Sequence, residues 1–152
     1  MKRLYIFSIL FILAIVSVNA QVSKVFEQYS ETQGVTTVYI SKTMLSMMPD
    51  IQAGKMELKG VTNKLNYIKV LTTQRAYLIR EIYNSIKLQM KRDKFETLIS
   101  TNDGNERANI YMKTDSRGVN EYLIVNQNKG ELSAVLINGT ITLADVQKMN
   151  LK

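Results

Sequence analysis

The stretch from Phe95 to Ile141 constrains this chain most, because it reads as four short strands in a row, each closed by residues that reverse a backbone. The runs are Phe95 to Thr101, Arg107 to Thr114, Val119 to Asn126 and Leu132 to Asn138. Between them stand Asn102-Asp103-Gly104-Asn105, Asp115-Ser116-Arg117-Gly118 and Asn128-Lys129-Gly130. Asn, Asp and Gly reach positive φ at low cost, so such clusters between apolar runs are hairpin turns with a mechanism. Connections this short join antiparallel neighbours only, and the stretch therefore predicts a four-stranded meander.

Alternation within the runs assigns their faces. In the second, Ala108, Ile110 and Met112 alternate with Arg107, Asn109, Tyr111 and Lys113, one buried face against a wetter one. The first places Phe95, Thr97 and Ile99 against Glu96, Leu98 and Ser100. The last two are apolar throughout, in Tyr122-Leu123-Ile124-Val125 and Ala134-Val135-Leu136-Ile137, so they are expected to be the most buried strands, covered on both faces.

The remainder supplies what packs on this sheet. Residues Arg75 to Arg92 carry Ile79, Ile82, Tyr83, Ile86 and Met90 on one helical face, opposite Arg80, Glu81, Asn84, Lys87, Lys91 and Arg92. Earlier, Val22, Val25, Phe26 and Tyr29 mark a short amphipathic helix that ends before Gly34. Val35 to Ile40 and Leu65 to Thr72 read as strands, joined through a short helix that Ser41 caps and Pro49 stops, and a connecting loop from Asp50 to Asn63. These two strands can pair parallel or sit apart, and their order is left open. Thr142-Leu143-Ala144-Asp145 begins a closing capped helix. The whole predicts an α+β domain over 21–152, a mainly antiparallel sheet ending in the meander, with helices packed on one face.

Residues 1–20 stand apart. Lys2 and Arg3 precede a nearly unbroken apolar run, Ile6 to Val16, and Val18-Asn19-Ala20 offers small residues where a signal peptidase reads. This is the pattern of a secretory signal peptide cleaved after Ala20, and the run is shorter than the ~20 residues a retained membrane helix needs. The expected location is the periplasm or the exterior, with no retained transmembrane helix. Lys2 and Arg3 also belong to the formal charge of +7, and no Cys is present for lipid attachment or disulfides.

Chemistry is marked by absences. The chain has no His and no Cys, which removes the commonest general base, the thiol nucleophile and the usual zinc ligands. After the leader there is no Ser-x-x-Lys, no Gly-x-Ser-x-Gly and no glycine-rich phosphate loop. Glu96, Glu106, Glu121 and Glu131 fall at strand ends and turns, where a solvated role is the default. The Asn102–Glu106 turn lacks the spacing of a calcium loop, and Asn138-Gly139-Thr140 reads better as a turn than as a glycosylation acceptor. No catalytic residue, metal ligand or cofactor is therefore assigned.

Two features suit a partner. Met44-Leu45-Ser46-Met47-Met48 carries three of the eight methionines, and thioethers repack readily against a partner, although the ordinary role of such residues is to fill a core. The helix ending at Arg92 is basic, through Lys91, Arg92 and Lys94, which suits the negative pole of the helix dipole and does not form an aromatic-interleaved nucleic-acid platform. Candidate contact residues are thus Met44, Met47, Met48, Lys91, Arg92 and Lys94, and nucleic acid is not expected as a partner.

The leader, the opening Phe26-x-x-Tyr29, the run Gly34-Val35-Thr36-Thr37-Val38-Tyr39-Ile40-Ser41-Lys42, the Ile110-Tyr111-Met112-Lys113 strand and the closing Asn138-Gly139-x-Ile141-x-Leu143 together resemble a family of small exported bacterial proteins known as domain of unknown function 4252. The resemblance covers essentially the whole chain after the leader and implies no catalytic residue. The functional expectation is a non-enzymatic binding or interaction module of the bacterial cell envelope, for an envelope protein or a small ligand. The alternatives are a carboxylate-based hydrolase of envelope glycans, with Glu96, Glu106, Glu121 and Asp103 converging on one cleft, and a component of envelope-stress sensing.

Overall fold

In the computed structural model, residues 21–47, 52–53, 56–57 and 60–148 are described. The expected leader, Met48, Pro49 and residues 50–51, 54–55 and 58–59 of the 50–63 connection lie outside them.

The meander forms through side chains that cap their own turns. Asp103 Oδ1 accepts the N–H groups of Asn105 and Glu106 at 3.0 and 2.8 Å, Asp115 Oδ1 those of Arg117 and Val119 at 2.8 and 3.0 Å, and Asn128 Oδ1 that of Gly130 at 2.9 Å. Each turn is fixed locally. They join β5 (Glu96–Asn102), β6 (Glu106–Thr114), β7 (Asn120–Asn128) and β8 (Leu132–Gly139) as successive antiparallel partners. The other two long strands, β1 (Val35–Ser41) and β4 (Leu65–Thr73), complete the sheet in the order β1-β4-β8-β7-β6-β5. Both new pairings, β1 with β4 and β4 with β8, are antiparallel. Between β1 and β4, short strands β2 (Gln52–Ala53) and β3 (Met56–Glu57) pair only with each other.

Helices α1 (Val22–Gln28) and α3 (Ala76–Arg92) cover one face of the sheet, where Val25, Phe26, Ile79, Ile82 and Ile86 meet Leu71, Leu123, Val125 and Leu136. The Tyr29 hydroxyl clamps the two helices, donating to Glu81 Oε1 at 2.9 Å and lying 3.2 Å from Ser85 Oγ. The short helices α2 (Lys42–Met47) and α4 (Leu143–Lys148) lie on the opposite face, through Leu45 and Val146 against Ile68, Tyr122, Ile124 and Ile137. Helices were expected on one face, and the two larger ones keep to it. The short ones divide off because β7 and β8 present apolar side chains on both sides, and the second side must also be covered.

Two local readings change. Leu98 packs toward the α2/α4 face, as alternation from Glu96 requires, but a register shift between Thr97 and Ile99 sets Ile99 opposite Ile110 on that same face and leaves it exposed, so the alternation expected for β5 breaks at Ile99. The pair Asn138-Gly139 is not a hairpin turn. It ends β8, where Gly139 pairs with Leu65 on one side and Asn120 on the other, and a Cβ on Gly139 would stand 2.2 Å from the Lys64 carbonyl oxygen. Glycine is needed there for backbone approach rather than for chain reversal. The closing helix is capped as expected: Thr142 and Asp145 exchange hydrogen bonds, Asp145 N–H to Thr142 Oγ1 at 3.2 Å and Thr142 N–H to Asp145 Oδ2 at 2.9 Å.

Candidate functional site

The residues singled out for partner contact do not share a surface. Met44 and Met47 lie on α2, over the α2/α4 face, and are 46% and 73% exposed. Met48 lies outside the described residues. The core-filling role is overturned for the two described methionines: a helix of fewer than two turns buries one narrow stripe, and Leu45 occupies it. Lys91, Arg92 and Lys94 are exposed at the end of α3, on the other face. Lys94 has a structural part as well. Its φ is 57°, and around it the Phe95 N–H reaches the Met90 carbonyl at 3.1 Å and its own N–H the Lys91 carbonyl at 3.4 Å, the pattern that ends a helix through a left-handed residue.

The side chains that do converge lie at the open side of the sheet, where α1 passes over β4 and β1. Period-2 alternation puts Tyr67, Lys69 and Leu71 of β4 on the α1/α3 face, and strand register sets Tyr39 of β1 opposite Lys69. With Ser23, Glu27 and Ser30 of α1 and its following turn, Tyr39, Tyr67 and Lys69 line a groove of about 480 Å³. Lys69 is its centre. Its Nζ donates to Ser23 Oγ at 2.9 Å and Glu27 Oε1 at 2.7 Å, and stands 5.8 and 5.7 Å from the ring centres of Tyr39 and Tyr67. The two rings are 6.3 Å apart and tilted by 41°. Lys69 holds the Glu27 carboxyl below its ordinary value, first by this hydrogen bond and then by its charge, so the Glu27 carboxylate offsets the lysine's charge in the groove. Tyr39 is 63% exposed, which leaves a ring face available above a fixed lysine.

Behind the groove a line of polar side chains crosses the sheet. The Tyr67 hydroxyl donates to Glu121 Oε1 at 2.9 Å, Asn138 Nδ2 donates to the same oxygen at 3.1 Å, and Asn66 Nδ2 donates to Asn138 Oδ1 at 2.9 Å. Glu121 Oε2 then meets Lys113 Nζ at 3.0 Å, and Asp93 Oδ2 lies 3.7 Å from Lys113 while accepting the Val22 N–H at 2.6 Å. Burial, followed by the Glu121 charge, pushes the Tyr67 hydroxyl well above its ordinary range, so it stays a protonated donor. This line ties the start of α1 to the end of α3 and fixes one wall of the groove.

The carboxylates weighed for hydrolysis are dispersed. Asp103 and Glu106 sit at the β5–β6 turn, and Glu106 pairs with Asn128, whereas Glu121 pairs with Lys113 seven residues along β6. At about 3.4 Å per residue these positions are roughly 24 Å apart. Glu96 pairs with Met112, which faces the α2/α4 core, so it lies on the opposite face from Glu121. Among the described residues no three of His, Cys, Asp or Glu gather as metal ligands would, and no helix is long and apolar enough to cross a membrane.

Tyr39 and Lys69 were not singled out in the sequence. The available signal was Lys69 itself, a charge on one face of an otherwise apolar strand, but its meaning depends on the β1–β4 pairing, which no local pattern states. No curated protein and no solved structure gives a significant match to the chain. One family model does, over residues 29–149, from the end of α1 through the whole sheet into α4. The chain belongs to the family described as "Domain of unknown function (DUF4252)".

Proposed function

We propose that the protein is an exported, non-enzymatic binding module of the bacterial cell envelope, and that its small ligand lies in the groove between α1 and the β1–β4 pair. The observation that carries this reading is the exposed Tyr39 ring beside Lys69, whose charge is already matched by Glu27. A ring face next to fixed donors and acceptors, without net charge, suits a neutral ligand with an apolar face and hydroxyl or amide groups. Export is supported by the pattern of residues 1–20 alone. The carboxylate hydrolase draws no support from acids on different faces and at different ends of the sheet, and no observation favours an envelope-stress role.

The test is a titration of the labelled protein with neutral N-acetylated disaccharides, followed by amide chemical shifts. The expected result is a set of shifts at Ser23, Thr37, Tyr39 and Lys69 that saturates and disappears in Tyr39→Ala. Absence of any saturable shift there, with Tyr39→Ala folded like the parent, overturns the reading. The exposed Met44 and Met47 on α2 favour a second reading, a protein partner on the α2/α4 face. A crosslinking pull-down that Met44→Ser and Met47→Ser both abolish is its expected signature.

A further inference from the structure

We infer that β1 is an interaction edge that pairs with the β1 of a second copy, antiparallel about a two-fold axis at Val38. Sheets end in two edges, and each presents backbone N–H and C=O groups that invite another strand unless something discourages it. Here the two edges differ. β5 carries Glu96 within it, follows Lys94, and is broken by the register shift between Thr97 and Ile99. β1, with the sequence Val-Thr-Thr-Val-Tyr-Ile-Ser, has no charge, no Pro, no Gly and no bulge, and pairs with β4 in unbroken register from Val35 to Ser41. Among the described residues no strand pairs with its outer side.

A second copy fits this edge because the strand is complementary to itself. A two-fold through Val38 keeps the faces of both sheets in common and sets Val38 against Val38, Thr37 against Tyr39, Thr36 against Ile40 and Val35 against Ser41. Every cross-strand pair then has at least one β-branched member, and no two like charges oppose each other. Val38, opposite the buried Val70 and 43% exposed, puts an apolar side chain at the axis on the α2/α4 face. On the other face each Tyr39 meets its counterpart's Thr37, which would set the two grooves side by side. The result is a continuous twelve-stranded sheet with guarded β5 strands at both ends.

The absence of cysteine makes the test clean. Sedimentation equilibrium of the purified protein should show its mass doubling as concentration rises. Val38→Cys, at the axis, should form a covalent dimer under mild oxidation, since directly opposed residues bring their Cα atoms within disulfide range. Thr101→Cys on β5 should not. Val38→Lys, which sets two ammonium groups against each other, should restore the monomer mass with an unchanged circular dichroism spectrum and a melting temperature that no longer rises with protein concentration. A monomer mass throughout, with no Val38→Cys crosslink, overturns the inference. So does a dimer that survives Val38→Lys or crosslinks as readily through Thr101→Cys.

Discussion

Gly139→Ala should be among the most damaging single-methyl additions in this protein. A Cβ at Gly139 would lie 2.2 Å from the Lys64 carbonyl oxygen, 2.9 Å from Leu65 Cα and 3.1 Å from the Lys64 carbonyl carbon. All three are backbone atoms, so no rotamer change relieves the contact. Even a close C–H···O approach needs about 3.3 Å, and β4 and β8 must therefore separate by about 1 Å at this point. Leu65 is buried there, and the same Lys64 carbonyl accepts the Thr140 N–H at 2.9 Å. Overpacking costs about 1–3 kcal/mol, and a rigid obstacle places this case at the upper end; losing the Thr140 hydrogen bond adds about 1 kcal/mol. A total of about 3–4 kcal/mol corresponds to a melting temperature lower by roughly 10–15 °C for a domain of this size. Calorimetry and urea titration of Gly139→Ala, beside Gly130→Ala as control, measure it. Gly130 lies in the β7–β8 turn with its nearest neighbour atom 4.0 Å from the added Cβ, and should change by less than about 0.5 kcal/mol. If Gly139→Ala melts within about 2 °C of the parent on that scale, the argument from backbone proximity fails.

Three further perturbations probe other parts of the structure. Lys94→Gly should stabilise the protein by about 0.5–1 kcal/mol in urea titrations, because relief of the left-handed backbone outweighs the added freedom of the unfolded chain. Leu45→Ala should cost about 2–5 kcal/mol while Met47→Ala on the same short helix stays within about 0.5 kcal/mol, and equal effects would show that α2 does not pack through Leu45. The Thr142 N–H, and after it the Lys64 ammonium, holds the Asp145 carboxyl down at about 2 instead of the usual 3.8. A folded-state value below the unfolded one means that this stabilisation is complete above about pH 4 and is lost as pH falls toward about 2. The melting temperature of Asp145→Asn should accordingly fall less steeply than the parent's across that window, and parallel curves would refute the assignment.

What could be read from the sequence was what the chain decides locally. The meander strands fall where their Asx-capped turns place them, since Asp103, Asp115 and Asn128 act on backbone groups two to four residues away. α3 was equally plain, because Ile79, Ile82, Ile86 and Met90 repeat along one face. The partners of β1 and β4 were not, as antiparallel pairing with a strand far along the chain leaves no short-range mark. The candidate groove inherits that silence: Tyr39 and Lys69 become neighbours only once register sets them opposite. Ile99 changed face through one extra residue, which alternation alone does not reveal. For Gly139 the residue was noticed but its cause misread, because an Asn-Gly pair suggests a turn until the backbone of Lys64 is seen beside it.

The position of β4 at the centre of the nonlocal pairing also shapes how the molecule must assemble. β5 to β8 can zip together through three short turns, and α3 is local to itself, so both are fast elements. β4 reaches β8 only when the ends of a loop holding all of α3 and three strands are brought together, and β1 joins the sheet only through β4. During that interval β8 presents the bare edge of Ala134-Val135-Leu136-Ile137, the most apolar strand in the chain and the one most apt to join a foreign strand. The longer β4 takes to arrive, the longer that edge stays open to foreign strands. A chaperone that shields β8 until closure would raise the yield without touching the folded state.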